Sequence, residues 1–215
     1  MKVIIHGVKD RRWYIENFLI PQLQQQNIEE IKVWLDNDKV GNLLSCMQCF
    51  ENLPDDNENT WHLQDDIVLC KDFKKRAEKF ESYNGLVNGI SVLDCEKEYE
   101  KGETDIQNMW YSFPCIMIPN NIAKGCSRWF DEKSNTKEYQ TWLVTQRGDD
   151  AVFKDYIADV HPDIKVFNVV PNLVDHIDYL LGGSTGWVRR HPIRSLYWED
   201  EEIVEDLERR IKGFG

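Results

Sequence analysis

Residues 61–73 read WHLQDDIVLCKDF and set two adjacent acids, Asp65 and Asp66, directly against an apolar run. The run from Ile67 to Cys70 is typical of a buried strand. Two neighbouring carboxylates repel each other and are costly to bury. The pair is therefore either a turn or helix cap near the surface, or a site for a divalent cation that removes this cost. Because such a cation prefers hard oxygen ligands, a carboxylate pair suits magnesium or manganese.

Strand-like and helix-like patterns alternate through the N-terminal part of the chain. Apolar runs of strand length are separated by segments with apolar residues at helical spacing. In chain order these are the strand KVIIHG, the helix IENFLIPQL, the strand IKVWLDND, the helix NLLSCMQCFENL, the turn-rich loop PDDNENT, the strand DDIVLC and the helix KDFKKRAEKF. Pro21 lies inside the first helical pattern, so we expect a kink there or a later start. The alternation predicts an α/β fold with a mixed, mainly parallel sheet flanked by helices.

The rest of the chain has a less regular pattern. LVNGISVL and FPCIMIP are typical of strands, whereas EKEYEKGETDIQN is polar and predicts a solvated loop. KEYQTWLVTQRG and DDAVFKDYIADV have helical spacing, and IKVFNVV predicts a strand that leaves into a loop at Pro171. The last segment, EDEEIVEDLERRIKGFG, predicts a charged C-terminal helical arm with an apolar stripe of Ile203, Leu207 and Ile211.

Composition favours a single globular domain without a membrane span, since 41% of the 215 residues are hydrophobic and no long apolar run occurs. The N-terminus becomes charged too early for a signal peptide, so we expect a cytoplasmic protein. The net charge of −12 disfavours a protein that coats nucleic acid, although Arg189, Arg190 and Arg194 form a local basic cluster. Six cysteines with one close pair, Cys46 and Cys49, favour reduced core thiols over a zinc site.

Three segments, HLQDDIVLCKDF, RGDDAVFKDYI and VPNLVDHIDYLLGGS, resemble nucleotide-sugar-dependent glycosyltransferases of the GT-A fold, which belong to the nucleotide-diphospho-sugar transferase superfamily. The resemblance is strongest over residues 61–73 and 147–184 and extends to compact phage members. It implies a single GT-A-like domain over residues 1–215. Residues 1–95 would be the nucleotide-binding half, residues 96–190 the acceptor and catalytic half, and residues 191–215 the helical arm.

The resemblance implies a metal site at the first acid pair. In that family an Asp-x-Asp-type motif after a strand holds Mn²⁺ or Mg²⁺, which bridges to the donor diphosphate; here the motif reads Gln64-Asp65-Asp66. It therefore assigns Asp66 as a metal ligand, with Asp65 assisting and also contacting the donor. A histidine late in the family's chain often completes the site, which assigns His176 as ligand or phosphate contact. The alternative for His176 is an ordinary packed or surface histidine.

The second acid pair, Asp149 and Asp150, opens a predicted helix. An aspartate is favoured at a helix N-cap and suits the positive end of the helix dipole, so one of the two is expected to cap. In inverting members of the resembled family, an acid at this place is the general base that takes the proton of the acceptor hydroxyl. The resemblance assigns that role to Asp150, with Asp149 as the substitute.

Further donor contacts follow from fold analogy. The first strand end, in HGVKDRR, and the second, in LDND, would face the nucleotide, and the glycine-rich segment GGSTGWVRR is either a lid over the diphosphate or a plain linker. The donor-contacting residues assigned in this way are His6, Gly7, Arg12, Asp36, Ser184, Arg189 and Arg190.

The sequence thus predicts an inverting, metal-dependent glycosyltransferase that uses a nucleotide diphosphate sugar, with a uridine diphosphate sugar favoured. The acceptor stays open and includes a modified DNA base, which the net charge disfavours. Two alternatives remain. One is a nucleotidyltransferase that uses paired carboxylates and a metal, and the other is a non-catalytic binding module on a related sheet.

Overall fold

The computed structural model describes residues 1–90, 102–105, 113–144, 148–169, 172–182 and 201–213, and within them it shows a mixed α/β fold. Nine strands occur in these ranges. They are β1 (Lys2–Val8), β2 (Ile31–Asp36), β3 (Asn59–Gln64), β4 (Ile67–Leu69), β5 (Leu86–Asn88), β6 (Gly102–Asp105), β7 (Cys115–Pro119), β8 (Lys165–Asn168) and β9 (Val174–His176).

Seven of these strands form one sheet in the order β2-β1-β3-β7-β5-β8-β6, and β4 and β9 form a separate antiparallel pair. β1 runs parallel to β2 and β3, and β5 runs parallel to β8. β7 is antiparallel to β3 and β5, and β6 is antiparallel to β8. Five of the seven strands therefore point the same way. The predicted mixed, mainly parallel sheet flanked by helices is confirmed.

Helices cover both faces of the sheet. The α-helices of the described ranges are α1 (Arg12–Tyr14), α2 (Ile20–Gln25), α3 (Asn42–Glu51), α4 (Phe73–Ala77), α5 (Asn120–Lys133), α6 (Lys137–Val144), α7 (Asp149–Val160) and α8 (Glu201–Gly213). Short 3₁₀ segments lie at Lys9–Arg11, Glu78–Phe80 and Asp178–Leu180. None of the described helices is long and apolar enough to cross a membrane.

The alternation of side chains along β1 divides the core into two clusters. Val3 and Ile5 point to one face, where they pack with residues of α2, α4, β4, β9 and α8. Ile4 points to the other face and packs with residues of α3, α5 and α7. The five cysteines of the described residues are buried and unbridged, as expected for reduced core thiols, and Cys95 lies outside those residues.

Helical segments follow one another without a break from Lys9 to Gln25, and Pro21 lies within this run. A five-residue π-helical stretch, Ile15–Leu19, joins α1 to α2, and Pro21 follows within the first turn of α2. A proline has no N–H and its ring clashes with the preceding turn of a regular helix. The wider π turn accommodates both effects, so the helix continues through the proline.

The structure differs from the sequence predictions at three elements. The third strand of the main sheet is β3, Asn59–Gln64, whereas the run after the acids forms the short β4 of the separate pair. Part of the polar segment predicted as a loop, Gly102–Asp105, pairs with β8 as strand β6. The 14-residue helix α5 was not expected.

Candidate metal and nucleotide site

A cleft of about 430 Å³ opens where β1, β2 and β3 end. Ligands of open α/β sheets bind at the carboxyl ends of such strands. The side chains that matter chemically are Arg11, Asp36, Asn42, Asp65, Asp66 and His176. A larger cleft of about 510 Å³ lies between α2 and α8. We place the functional site in the smaller cleft because it contains the buried carboxylate pair.

Asp65 occupies the turn between β3 and β4, against the end of β1. The backbone N–H of Val8 donates to Asp65 Oδ2 at 2.7 Å. A Cβ atom on Gly7 would lie 2.6 Å from the Asp65 side chain, so a glycine is needed for this approach. Burial, and then the adjacent Asp66, raise the pKa of Asp65 to about 6. Gly7, predicted to contact the donor, thus has a clear role in seating Asp65.

Arg11 lies among three carboxylates. Its Nη1 donates to Asp65 Oδ1 at 2.9 Å and to Asp66 Oδ2 at 2.8 Å, and its Nη2 donates to Asp178 Oδ1 at 2.6 Å. Three carboxylates against one guanidinium leave a net charge of −2 in this cluster while His176 is neutral. The cluster therefore retains an attraction for a further cation.

Asp66 and His176 meet because β4 and β9 pair with Ile67 opposite His176. His176 Nε2 lies 3.2 Å from Asp66 Oδ2. Burial alone would raise the pKa of Asp66, but the hydrogen bond and charge of His176, together with Arg11, lower it below its usual value. Burial opposes the charged form of His176, yet Asp66 outweighs it and raises the pKa of the imidazole.

These residues fit a divalent cation of the manganese or magnesium type. Asp66 Oδ1 is buried and has no hydrogen-bond partner among the described residues. A buried carboxylate oxygen in that state is costly unless something binds it. Two adjacent carboxylates with an imidazole form a donor set that suits manganese in particular. The structure therefore brings together the three predicted metal ligands, Asp65, Asp66 and His176.

Asp149 lies behind the cleft. Asn42 Nδ2 donates to its Oδ1 at 2.8 Å, and Gln64 Nε2 donates to its Oδ2 at 3.1 Å. Burial, and then the charge of Asp150, raise the pKa of Asp149 to about 7. Asn42 and Gln64 themselves line the cleft, so they separate Asp149 from it.

Asp150 is half-buried, and its Oδ1 accepts the N–H of Ala151 at 2.7 Å. The N-cap of α7 is Gly148, so neither acid occupies the cap position that the sequence suggested. Neither Asp149 nor Asp150 is among the residues that line the cleft.

His6 and Asp36, two predicted donor contacts, line the cleft, and each makes hydrogen bonds within the protein. Asp36 accepts the N–H groups of Val40 and Gly41, each at 3.0 Å, and so shapes the loop before α3. His6 is buried, its Nε2 lies 2.9 Å from Ser45 Oγ, and burial lowers its pKa to about 4. His6 is therefore a neutral part of the cleft floor.

Arg12 requires a correction. It is exposed, pairs with Glu16 at 2.6 Å and does not line the cleft. The neighbouring Arg11, and not Arg12, lines the cleft. The sequence patterns also did not identify Gln64, which lines the cleft, or Asp178, which accepts a hydrogen bond from Arg11. Ser184, Arg189 and Arg190, the predicted lid contacts, lie outside the described residues.

No family model and no curated protein matches the chain. Solved structures show distant likenesses. A glycosyltransferase involved in glycosylation of the major capsid of PBCV-1 is 10% identical, covers 80% of this chain and 82% of its own, and gives a TM-score of 0.48. The 4-diphosphocytidyl-2C-methyl-D-erythritolsynthase of Anaerococcus prevotii is 11% identical, with coverages of 78% and 88% and a TM-score of 0.46. A197 from STIV is 18% identical, with coverages of 81% and 84% and a TM-score of 0.44. At these identities and scores the likenesses carry no argument about activity.

Proposed function

We propose that the chain is a metal-dependent glycosyltransferase that moves a sugar from a nucleotide diphosphate donor to an acceptor hydroxyl. The observation that carries this proposal is the buried pair Asp65 and Asp66 with His176 in a cleft at the strand ends. Mn²⁺ or Mg²⁺ bound there would stabilise the negative charge that develops on the leaving diphosphate. A volume of about 430 Å³ lies within the usual range for small-molecule sites.

Arg11 has two roles in this proposal. It orients Asp65 and Asp66 through the two bonds from Nη1 and anchors the cluster to Asp178. A guanidinium has five N–H donors, and these contacts use three of them. The remaining donors supply charge-assisted hydrogen bonds to diphosphate oxygens, which are stronger than neutral ones.

Asp150 is the proposed general base of an inverting transfer. Asp149 is buried and both of its carboxylate oxygens accept hydrogen bonds, from Asn42 and Gln64, so it is poorly placed to reach the reacting hydroxyl. Asp150 is more exposed and next to it, and this leaves Asp150 as the candidate. Asp150→Asn should keep donor binding and lower transfer by about two to four powers of ten.

The proposal is tested by calorimetric titration with uridine diphosphate sugars and with uridine triphosphate, with and without Mn²⁺. We expect manganese-dependent binding of the diphosphate sugar to the natural chain. Asp66→Asn should abolish it, and the exposed Asp55→Asn, which lies outside the cleft, should retain it. Metal-dependent binding of the triphosphate in place of the diphosphate sugar would instead indicate a nucleotidyltransferase. Donor binding that does not depend on the metal in either variant would contradict the site assignment.

A further inference from the structure

A second cluster of potential ligands lies beneath the cleft floor. It consists of His6, Cys46 and His62, whose ligand atoms all lie within 4.8 Å of one another and which are all buried. The register of β1 and β3 places Ile4 opposite His62 and His6 opposite Gln64, so the two histidines lie near each other on one face of the sheet. The helix α3 packs over this face and brings Cys46 to them.

Three of the four imidazole nitrogens of this cluster have no hydrogen-bond partner among the described residues. His62 Nδ1, His62 Nε2 and His6 Nδ1 are buried without a hydrogen bond among the described residues. His62 is only 1% exposed and His6 only 4%. The rings of Phe50 and Phe113 pack against His62. A neutral imidazole carries one N–H donor and one lone-pair acceptor, and among the described residues His62 finds a partner for neither. Unpaired groups of this kind are rare in folded proteins.

We propose that His6, Cys46 and His62 form a buried site for a transition metal, with Zn²⁺ as its natural occupant. One thiolate and two imidazoles form a donor set that zinc prefers, in contrast to the oxygen-rich cluster around Asp66. Three protein ligands leave the fourth tetrahedral position to water or to Asp149, whose carboxylate is hydrogen-bonded to the Cys46 thiol. Binding displaces the thiol proton, so one proton is released for each ion bound through Cys46.

Ser45 provides the outer contact that such a site requires. Its hydroxyl lies 2.9 Å from His6 Nε2, and when Nε2–H donates to it, Nδ1 carries the lone pair that binds the metal. Partners of this kind orient a ligating histidine. Burial also lowers the pKa values of both histidines, which keeps them in the neutral form that binds metal. The ion would tie α3 to β1 and β3 and so stiffen the floor of the cleft, whatever substrate the cleft accepts.

The test uses Co²⁺ alone as a spectroscopic probe on the full chain after removal of metals. We expect a thiolate-to-cobalt charge-transfer absorption that accounts for one Co²⁺ per chain at this site, apart from any Co²⁺ held by the carboxylate cluster, and we expect Zn²⁺ to abolish the band. Cys46→Ser should lose the band. Cys49→Ser should keep it, because Cys49 is buried on the same helix but outside the cluster. Asp66→Asn should also keep it, which separates this site from the carboxylate cluster.

Ser45→Ala gives a graded test that does not remove a ligand. We expect it to retain the band and to weaken Zn²⁺ binding by roughly 10- to 100-fold, as for other outer-shell partners. Absence of a charge-transfer band in the natural chain would overturn the proposal, even if Cys46→Ser fails to fold. A band that survives Cys46→Ser, or that disappears in Cys49→Ser, would overturn it too.

Discussion

Arg11 is surrounded by the carboxylates of Asp65, Asp66 and Asp178, and its side chain is 14% exposed. Removing one partner of a buried ion pair leaves uncompensated charge and typically costs about 3–5 kcal/mol. We therefore expect Arg11→Met to lower the free energy of unfolding by that order. Because a divalent cation offsets the same carboxylate charge, Mn²⁺ should restore more stability to this variant than to the natural chain. Chemical denaturation with and without Mn²⁺ measures both effects.

Arg12 is the matched control for this experiment. It has the same side chain and the next position in the chain, but it is exposed and pairs with Glu16. Exposed ion pairs contribute little, so Arg12→Met should be close to neutral with or without Mn²⁺. Equal destabilisation by the two substitutions would show that the carboxylate cluster does not depend on Arg11.

The contrast between these arginines shows what the sequence could predict at this scale. Asp65 and Asp66 could be selected because they lie beside a strand pattern, and ligands bind at strand ends, whereas His176 was assigned from the family resemblance. The choice between Arg11 and Arg12 depends on the rotation of one helical residue, which is about 100°. The sequence does not determine this orientation near the start of a helix. It therefore does not show that Arg11, and not Arg12, faces the cleft.

Asp149 should make stability depend on pH. Its pKa is about 7 in the folded chain, above the ordinary aspartate value of 3.8. Between these values the folded state keeps a proton that the unfolded state has lost, so this contribution to stability declines as pH rises from about 4 to about 7. The decline is limited to about 1.4 kcal/mol for each pKa unit.

Asp149→Asn has no carboxyl group to titrate and should not show this decline. The variant should therefore gain stability relative to the natural chain as pH rises from about 4 to about 7. Urea unfolding at several pH values, with a chelator present, measures the difference. A difference that does not change with pH would contradict the prediction.

At the scale of elements, α8 supports the segment that carries Asp178. Leu207 of α8 is buried in the core, Arg210 lies 4.5 Å from the centre of the Phe18 ring, and Tyr179 Oη donates to Glu208 Oε1 at 2.6 Å. Tyr179 is the next residue after Asp178, which binds Arg11 in the cleft. The packing of α8 therefore helps to hold Asp178 in position.

Leu207→Ala should therefore destabilise the chain by about 2–5 kcal/mol, the usual range for a buried leucine. We also expect it to weaken Mn²⁺ binding, because Asp178 holds Arg11 in place. Thermal unfolding and manganese titration measure the two effects. Glu205→Ala, exposed on the same helix, is the control and should change neither. Full stability of the Leu207 variant would show that α8 is only loosely docked.

The missed elements share a physical cause. The sequence of β3, NTWHLQ, consists mostly of polar residue types. Thr60 and His62 are nevertheless buried in the structure. Thr60 Oγ1 donates a hydrogen bond to Asn120 Oδ1 at 2.7 Å. A sequence pattern counts Thr60 as exposed, since Asn120, which accepts its hydrogen bond, is distant in the chain. In α5, Gly125 lowers helix propensity, but a side chain there would collide with the Tyr156 hydroxyl. That close contact between α5 and α7 is visible only once the chain is folded.

For the whole molecule, the charge of −12 creates a field that attracts cations and opposes anionic ligands. A diphosphate sugar is itself an anion, and the cluster at the cleft retains a net negative charge. For the proposed diphosphate-sugar donor, we therefore expect a divalent cation to precede or accompany binding. The same field disfavours a nucleic-acid acceptor, because no basic surface is present among the described residues of the cleft beyond Arg11.

Manganese binding should consequently weaken with salt. Part of the attraction comes from exposed acids beyond the cleft, and the Debye length falls from ~10 Å at 0.1 M to ~3 Å at 1 M ionic strength. We expect the dissociation constant for Mn²⁺ to rise several-fold over this range, as measured by the paramagnetic resonance signal of the free ion.

A variant with four exposed acids replaced by amides has a net charge of −12 + 4 = −8 and should bind Mn²⁺ more weakly at low salt only. Suitable positions are Asp55, Asp131, Glu132 and Asp163. If this variant and the natural chain bind Mn²⁺ equally at low salt, the attraction comes from the cleft carboxylates alone.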